Sequence, residues 1–348
     1  MAEITPYKQD ILRIFETFRL PWDKLSGSNI LVAGATGLIG GCLVDALMQN
    51  PNMDYHVYAS GRNEGRAKHR FKEYWNDIHF HFVKYDVSDK MDCDVHFQYI
   101  IHAASNASPN FFAHNPVEVI KSNVYGVANL MEYGLAHGMK RFLYVSTGEV
   151  YGEGDGRVFT ENYSGYVDCT KPRSCYPSSK RAAETLCVSY AEEYGADVVI
   201  ARPCHIYGPY FTESDNRVYA QFIRNVLRGE DIIMKSDGSQ FRSWCYVVDC
   251  MSALLHIVLK GECGQAYNIA DERSNISIKD LAEIIAEIGG KKVVIDIPEG
   301  NEKKGYNVVS KSVFSTQRLK RLGWMANTGI RTGLKHTIEN SLANGCGY

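Results

Sequence analysis

The sequence predicts an α/β protein, a doubly wound parallel sheet covered by helices with a smaller α/β lobe interleaved with it. Three observations carry that prediction. Short runs rich in β-branched and aromatic residues alternate with longer runs of helical periodicity from Asn29 to about Arg202. The short runs are apolar throughout, as strands buried on both faces of a parallel sheet are. Beyond Arg202 the rhythm loosens, and 348 residues at ~150 per domain allow about two units.

In chain order, residues 1–28 form an N-terminal helical extension. Ile11, Leu12, Phe15 and Phe18 fall at helical spacing and Pro21-Trp22 ends the helix, so an amphipathic helix packed on the body is expected. The strands are Ile30-Leu-Val-Ala33, His56-Val-Tyr-Ala59, Phe80-His-Phe-Val83, Tyr99-Ile-Ile-His102, Phe142-Leu-Tyr-Val145 and Val198-Val-Ile-Ala201. Helices are expected over 38–48, 115–137 and 177–194. Gly208-Pro209 then breaks the chain, and Gly229 stops a helix near 217–228. Tyr267-Asn-Ile-Ala270 reads as a further strand, and the last helix lies near 329–343. This divides the chain into the extension, a first domain of residues 29–203 plus about 240–270, and a second lobe of 204–239 plus 271–348.

Composition narrows the function. The formal charge, 38 basic against 40 acidic side chains, is −2, which argues against nucleic acid or an anionic membrane as the main partner. No apolar run approaches the ~18 residues of a membrane span, and the run Ser252-Ala-Leu-Leu-His-Ile-Val-Leu259 is interrupted by His256. Met1-Ala-Glu-Ile-Thr-Pro-Tyr-Lys8 lacks the layout of a signal peptide, so a cytoplasmic location is expected. Ten cysteines without a Cys-x-x-Cys pair read as reduced, packed thiols. His79 and His81 alternate along a strand, both toward its polar face, and no third ligand lies near; no metal site is expected.

The first strand runs into Gly34-Ala-Thr-Gly37-Leu-Ile-Gly40, and a helix follows. Glycines there let the backbone turn tightly and approach a pyrophosphate at a helix N-terminus, which makes this a Rossmann-type dinucleotide site. The Lys-Ser/Thr of a nucleotide-hydrolase loop is missing, so a dinucleotide is favoured over ATP. An acidic residue commonly ends the second strand and binds the ribose 2′-hydroxyl. Here the run is Ala59-Ser-Gly61-Arg62-Asn63, where Arg62 either pairs with the 2′-phosphate of NADP or stacks on the adenine of NAD. Ser146-Thr147-Gly148-Glu149 ends the fifth strand, where open α/β sheets bind ligands. Tyr176 and Lys180, four apart on a helix, share one face, and an ammonium beside a phenol lowers its pKa and makes it a usable base. Thr147 can hydrogen-bond the same substrate hydroxyl.

Together these motifs resemble the extended short-chain dehydrogenase/reductase family, whose members rework nucleotide sugars. The match runs from Asn29 to about Leu342 and takes in the glycine loop, Asp86-Val87, Ala103-Ala104, Asn123, Thr147 and Tyr176-x-x-x-Lys180. The resemblance implies cofactor contacts from Gly34, Thr36, Gly37, Leu38, Ile39, Gly40, Gly61 and Arg62, and from Asp86 and Val87 at the adenine. It implies others from Ala103, Ala104, Ser105, Asn123, Tyr176, Lys180 and Pro203. Within the family, Ala107-Ser-Pro109, Pro172-Arg-Ser-Cys-Tyr176, Lys180-Arg-Ala-Ala-Glu-Thr185, Asn216-Arg-Val218 and Asp237-Gly-Ser-Gln-Phe-Arg-Ser243 are most similar to UDP-glucuronate decarboxylases. That implies a UDP-sugar partner, a homodimer, and substrate contacts from Ser108, Pro109, Glu149, His205, Arg217, Arg242 and Tyr246, with Arg242 on the diphosphate and Arg217 near the nucleotide. The cofactor is NAD by resemblance, whereas Gly61-Arg62 leans to NADP.

The chain also departs from the pattern. Gly148 stands where decarboxylases carry Ser and 4,6-dehydratases Asp, and His205 where Asn is usual. Lys303-Lys304-Gly-Tyr-Asn307 occupies the place of a late Arg-Pro-Asp segment. The candidate reactions open alike: Tyr176 takes the proton of the sugar 4-hydroxyl as C4 gives up hydride. A dehydratase then needs an acid at the C6 hydroxyl, which Gly148 cannot be; an epimerase needs only room for the ketosugar to turn over. A decarboxylase needs only the 4-ketone as electron sink, with Glu149 as orienter or base. The order of expectation is decarboxylase, epimerase, dehydratase. A redox-sensing regulator on the same fold is the reading of another class, disfavoured because Thr147, Tyr176 and Lys180 are all present.

Overall fold

The computed structural model describes residues 4–213, 215–297 and 311–343. The chain begins with helix α1 (Pro6–Thr17). Strand and crossover then alternate: β1 (Ser28–Ala33), α2 (Leu38–Gln49), β2 (Tyr55–Gly61), α3 (Glu64–Arg70), β3 (Phe80–Lys84), β4 (Tyr99–His102), α4 (Pro109–His114), α5 (Pro116–Ala136), β5 (Arg141–Val145) and α6 (Cys175–Tyr194). After β6 (Val198–Pro203) come β7 (His205–Tyr207), α7 (Val218–Leu227), β8 (Ile232–Met234), β9 (Phe241–Tyr246) and α8 (Val247–Lys260). The chain continues through β10 (Ala266–Ile269), β11 (Asp271–Ser277), α9 (Ile278–Gly289), β12 (Val293–Ile295), β13 (Lys311–Ser312), α10 (Gln317–Arg321) and α11 (Ile330–Ala343).

Seven strands form one parallel sheet in the order β10-β6-β5-β4-β1-β2-β3. Its strands are the apolar runs of the sequence, and β4 is buried at every position because helices cover both faces. The direction of winding reverses at β1, which pairs with β2 on one side and β4 on the other. A crevice therefore opens at the carboxyl ends of β1 and β4, the ligand site of a doubly wound sheet.

A second sheet takes the order β11-β9-β13, with β7 also on β9. Of the residues from about 240 to 270, expected with the first domain, β9 pairs in the second sheet and β10 in the seven-stranded one. The apolar run Trp244-Cys-Tyr246 suits a buried strand of either sheet, and its partners β7 and β11 decide the matter. Helix α8 is buried at every residue from Val247 to Leu259, packed on α2, β5, β6 and β9. That is why so apolar a run occurs here, and His256 is accommodated by an Nδ1 contact of 2.7 Å to the Ser252 carbonyl. Among the described residues no helix is long and apolar enough to cross a membrane.

Helix α1 lies on α2, α8 and α11, turning Tyr7, Asp10, Ile11 and Ile14 inward. Leu12, expected on that face, points to solvent, because the buried stripe runs 7, 10, 11, 14. His79 and His81 do not simply line a polar face. The His81 ring stacks on Tyr58 at 4.5 Å and its Nε2 lies 3.1 Å from His56 Nδ1.

Candidate active site

The cofactor crevice is built from backbone first. Gly34 has φ +82°, and a β-carbon there would come within 2.6 Å of the Ala104 backbone. Only glycine lets the β1–α2 turn lie so close to Ala103-Ala104 at the end of β4. Gly37 caps α2 without a side-chain hydrogen bond, and no acidic residue stands in the first turn, where Leu38 and Ile39 follow. The leading N–H groups of a twelve-residue helix thus face the crevice with nothing to compete for them, which fits a pyrophosphate.

At the neighbouring strand end, Gly61 faces Thr36, with 3.6 Å between a built β-carbon and Thr36 Oγ1. Arg66 Nη2 donates to the Thr36 carbonyl at 2.8 Å. Arg62 is largely exposed and lies 3.8 Å from the Asp86 carboxylate. Val87 is buried, and its carbonyl accepts from Asn129 Nδ2 at 2.9 Å. Burial and the nearby Arg62 charge pull Arg66 below the usual guanidinium range, so two cations flank this end of the crevice.

The opposite wall is a chain of hydrogen bonds running into α6. Ser105 Oγ donates to Asn123 Oδ1 at 2.9 Å, and Asn123 Nδ2 donates to Ser179 Oγ at 2.9 Å. Ser179 Oγ in turn reaches the Tyr176 carbonyl at 3.1 Å. Tyr176 is 6% exposed and Lys180 1%. The Lys180 ammonium donates to the Val145 carbonyl at 2.8 Å and lies 4.7 Å from the Tyr144 ring. Pro203 closes β6 on the same side of the sheet.

Lys180 lies one helical turn from Tyr176, with its ammonium 5.9 Å from the centre of the Tyr176 ring. Burial pushes the phenol up to about 12, helped by the Glu149 charge, while a Thr147 hydrogen bond and the Arg217 and Arg173 charges oppose it. Burial also pulls Lys180 down to about 7. For both groups the loss of water on burial is the largest influence.

Glu149 follows Thr147, whose hydroxyl accepts from the Glu149 N–H at 3.2 Å and caps the short turn Gly148–Tyr151. The Glu149 carboxylate is held by Arg173 Nη2, 3.0 Å from each oxygen. Arg173 also lies 4.9 Å from the centre of the Phe112 ring, which stacks on Tyr176 at 4.5 Å. Ser108 begins α4, with Pro109 in its first turn, and Ser108 Oγ donates to Asn216 Oδ1 at 3.0 Å. Arg217 Nε donates to Asp215 at 2.9 Å, and its charge reaches Tyr176. Arg242 is 6% exposed on β9, within reach of the Glu149 charge. Burial and Arg242 together drive His205 down to about 3, which keeps it neutral. Tyr246, expected at the substrate, is instead wholly buried against Tyr207 with its hydroxyl toward Asp10 of α1.

Residues 30–270 match the NAD dependent epimerase/dehydratase family. The chain belongs to that family. UDP-glucuronic acid decarboxylase 6 of Arabidopsis thaliana is 35% identical over 318 residues, covering 89% of this chain and 87% of the relative. UDP-glucuronic acid decarboxylase 1 of Xenopus tropicalis is 30% identical over 89% of this chain and 71% of its own length. Among solved structures, a UDP-glucose 4-epimerase of Thermotoga maritima superposes with a TM-score of 0.79 at 28% identity, over 91% of this chain and 99% of the other.

Set within the epimerase/dehydratase family, the site contains three residues whose roles the sequence does not announce. Arg173 stands inside Pro172-Arg-Ser-Cys-Tyr176, but its pairing with Glu149 is visible only in space. Phe112 reads as an ordinary core residue. Phe314 lies far along the chain, with its ring directly over Gly148. The Lys303-Lys304-Gly-Tyr-Asn307 stretch lies outside the described residues.

Proposed function

We propose that this family member acts on a UDP-linked hexuronate, oxidising C4 and releasing the carboxylate on C5 as carbon dioxide. The observation that carries the reading is the gathering of Arg173, Arg217 and Arg242 around Glu149 and Tyr176. Three guanidiniums stand there against the two carboxylates of Glu149 and Asp215, a balance that suits an anionic substrate bearing a diphosphate and a carboxylate, groups that Arg binds well. The similarity to UDP-glucuronic acid decarboxylases supports the same reading.

A nicotinamide dinucleotide held by the glycine loop, Asn123 and Lys180 supplies the hydride acceptor and donor. The protein's own part is proton handling and orientation. Thr147 and Tyr176 share the 4-hydroxyl, and Tyr176 removes its proton. Once C4 is a ketone, the C5–C6 bond breaks and its electron pair passes to the carbonyl as carbon dioxide leaves. C5 then takes a proton and C4 is reduced again. Arg62 and Arg66 favour NADP, since two cations stand at the end of β2 against the one carboxylate of Asp86, 3.8 Å from Arg62. A homodimer through α5 and α6 accords with Ile120, Tyr125 and Val188, which stand exposed on those helices. A cytoplasmic location suits its cysteines, of which the nine described are free.

Epimerisation of a neutral UDP-sugar is the second reading, favoured by the likeness to the Thermotoga maritima enzyme. Anaerobic incubation with UDP-glucuronate tests the choice. Carbon dioxide and a UDP-pentose are expected. Interconversion of UDP-glucose and UDP-galactose without decarboxylation sinks the reading in favour of an epimerase. Cofactor binding without turnover of any nucleotide sugar points to a regulator.

A further inference from the structure

We propose that Arg173 is a positioning residue for proton transfer at Tyr176: its guanidinium clamps the Glu149 carboxylate and packs against Phe112, the ring that stacks on Tyr176. The proposal rests on the reading of Tyr176 as the group that takes the substrate proton.

The geometry has three parts. Arg173 Nη2 is equidistant from the two Glu149 oxygens, at 3.0 Å, so the carboxylate is fixed in one orientation. The guanidinium sits 4.9 Å from the Phe112 ring centre, within cation–π range. Phe112 is 1% exposed and its ring lies nearly parallel to that of Tyr176, at 4.5 Å and 20°. Phe112, Val119, Cys175 and Tyr176 form a small buried cluster of their own, so the phenol is seated against a packed surface rather than left to swing.

Electrostatics give the clamp a purpose. A bare carboxylate beside a buried phenol opposes loss of its proton, and an adjacent guanidinium offsets that charge. The groups bearing on Tyr176 are Glu149 on the turn after β5, Arg173 before α6, Arg217 before α7, Tyr144 on β5, Thr147 just beyond it and Lys180 on its own helix. Glu149 opposes the phenolate, whereas Thr147, Arg217 and Arg173 favour it. Glu149 is the strongest charge acting on the tyrosine, and Arg173, paired with it, offsets part of that charge. Remove either partner and the other's charge is exposed to it.

Two measurements test this. The first is the pH profile of nucleotide-sugar oxidation, which all the candidate reactions share, for Arg173→Met, Glu149→Gln, the double variant and Arg173→Lys. The second is ultraviolet titration of the phenolate, taken as the difference between each protein and its Tyr176→Phe counterpart, which needs no substrate. Arg173→Met is expected to move the Tyr176 ionisation up by about one pH unit, and Glu149→Gln to move it down. The double variant should return close to the parent, and Arg173→Lys should hold it, since the charge is kept. Titrations that coincide in Arg173→Met and the parent, or a double variant that shifts as far as Arg173→Met alone, overturn the proposal. If Arg173→Met does not fold, an unmoved ionisation in Glu149→Gln overturns it just as well. Failure of UDP-glucuronate to react, with the phenolate shifts intact, counts against the decarboxylase reading and leaves the role of Arg173 standing.

Discussion

The ring of Phe314 lies over Gly148 so closely that a β-carbon on the glycine would fall 2.5 Å from Cε1 and nearer still to Cζ. The glycine is therefore a requirement of packing, since its φ is not among the positive ones. Phe314 is itself fixed: its N–H donates to Ser243 Oγ at 3.0 Å and its ring packs edge-on against Tyr151 and Phe159. The aromatic ring takes the space in which relatives of this type are expected to carry Ser or Asp.

This changes what a substitution at that position can do. Gly148→Asp, the simplest way to supply an acid for dehydration, is expected to lower thermal stability sharply and to create no activity, because the ring must be displaced. Phe314→Ala leaves a cavity and costs about 3–5 kcal/mol by itself. Combined with Phe314→Ala, Gly148→Asp should be better tolerated than in the parent, and that pair is the one to assay for a 4-keto-6-deoxy product. Melting temperatures of the four proteins give the coupling; additive losses would mean the two residues do not compete for the same space. The unmodified protein should form no such product from UDP-glucose or dTDP-glucose.

Lys180 makes a prediction about stability that is separate from turnover. Its folded pKa, about 7, lies below the ordinary 10.5 because of burial. Between those values the unfolded chain binds more protons than the folded one, so this group's contribution to stability rises with pH across that range. Lys180→Met should therefore melt a few degrees above the parent at pH 7 in the absence of cofactor, and the gap should narrow by pH 9. A gap that is flat or widens would show that the ammonium is not the cause. Tyr176→Phe, by contrast, should abolish turnover and leave cofactor binding nearly intact, since only the proton acceptor is lost.

Arg242 is expected to bind substrate charge. Arg242→Ala should raise KM for the nucleotide sugar tenfold or more, as a charge-assisted contact is worth ~1.5–3 kcal/mol. Its thermal melt should be recorded beside the kinetics, because the residue is buried on β9 opposite Ser312 of β13. An unchanged KM in a folded protein removes Arg242 from the site.

Arg62→Ala should weaken NADP binding about tenfold and leave NAD almost untouched, since an exposed guanidinium facing a 2′-phosphate contributes in that range. Titration with each dinucleotide gives the ratio. Equal losses for both would instead place Arg62 against the adenine they share.

What could be read along the chain was whatever depends on neighbours a few residues apart. Apolar runs of strand length between helical stretches gave the parallel sheet, and the glycine spacing between β1 and α2 gave the dinucleotide crevice. The four-residue interval of Tyr176 and Lys180 put both on one helix face. Folding added the features that depend on distance and depth in space. The partners of β9 assigned it to the second sheet, although its apolar run would suit either. The ring of Phe314 explained Gly148, and the guanidinium of Arg173 paired with Glu149. Tyr246 shares its strand face with Arg242, and it is the packing of Tyr207 and of α1 over the end of β9 that encloses it. Burial also moved the Tyr176 phenol and the Lys180 ammonium away from their ordinary values, since the cost of removing a charge from water is set by how deeply it is enclosed, and that depth is a property of the packed chain as a whole.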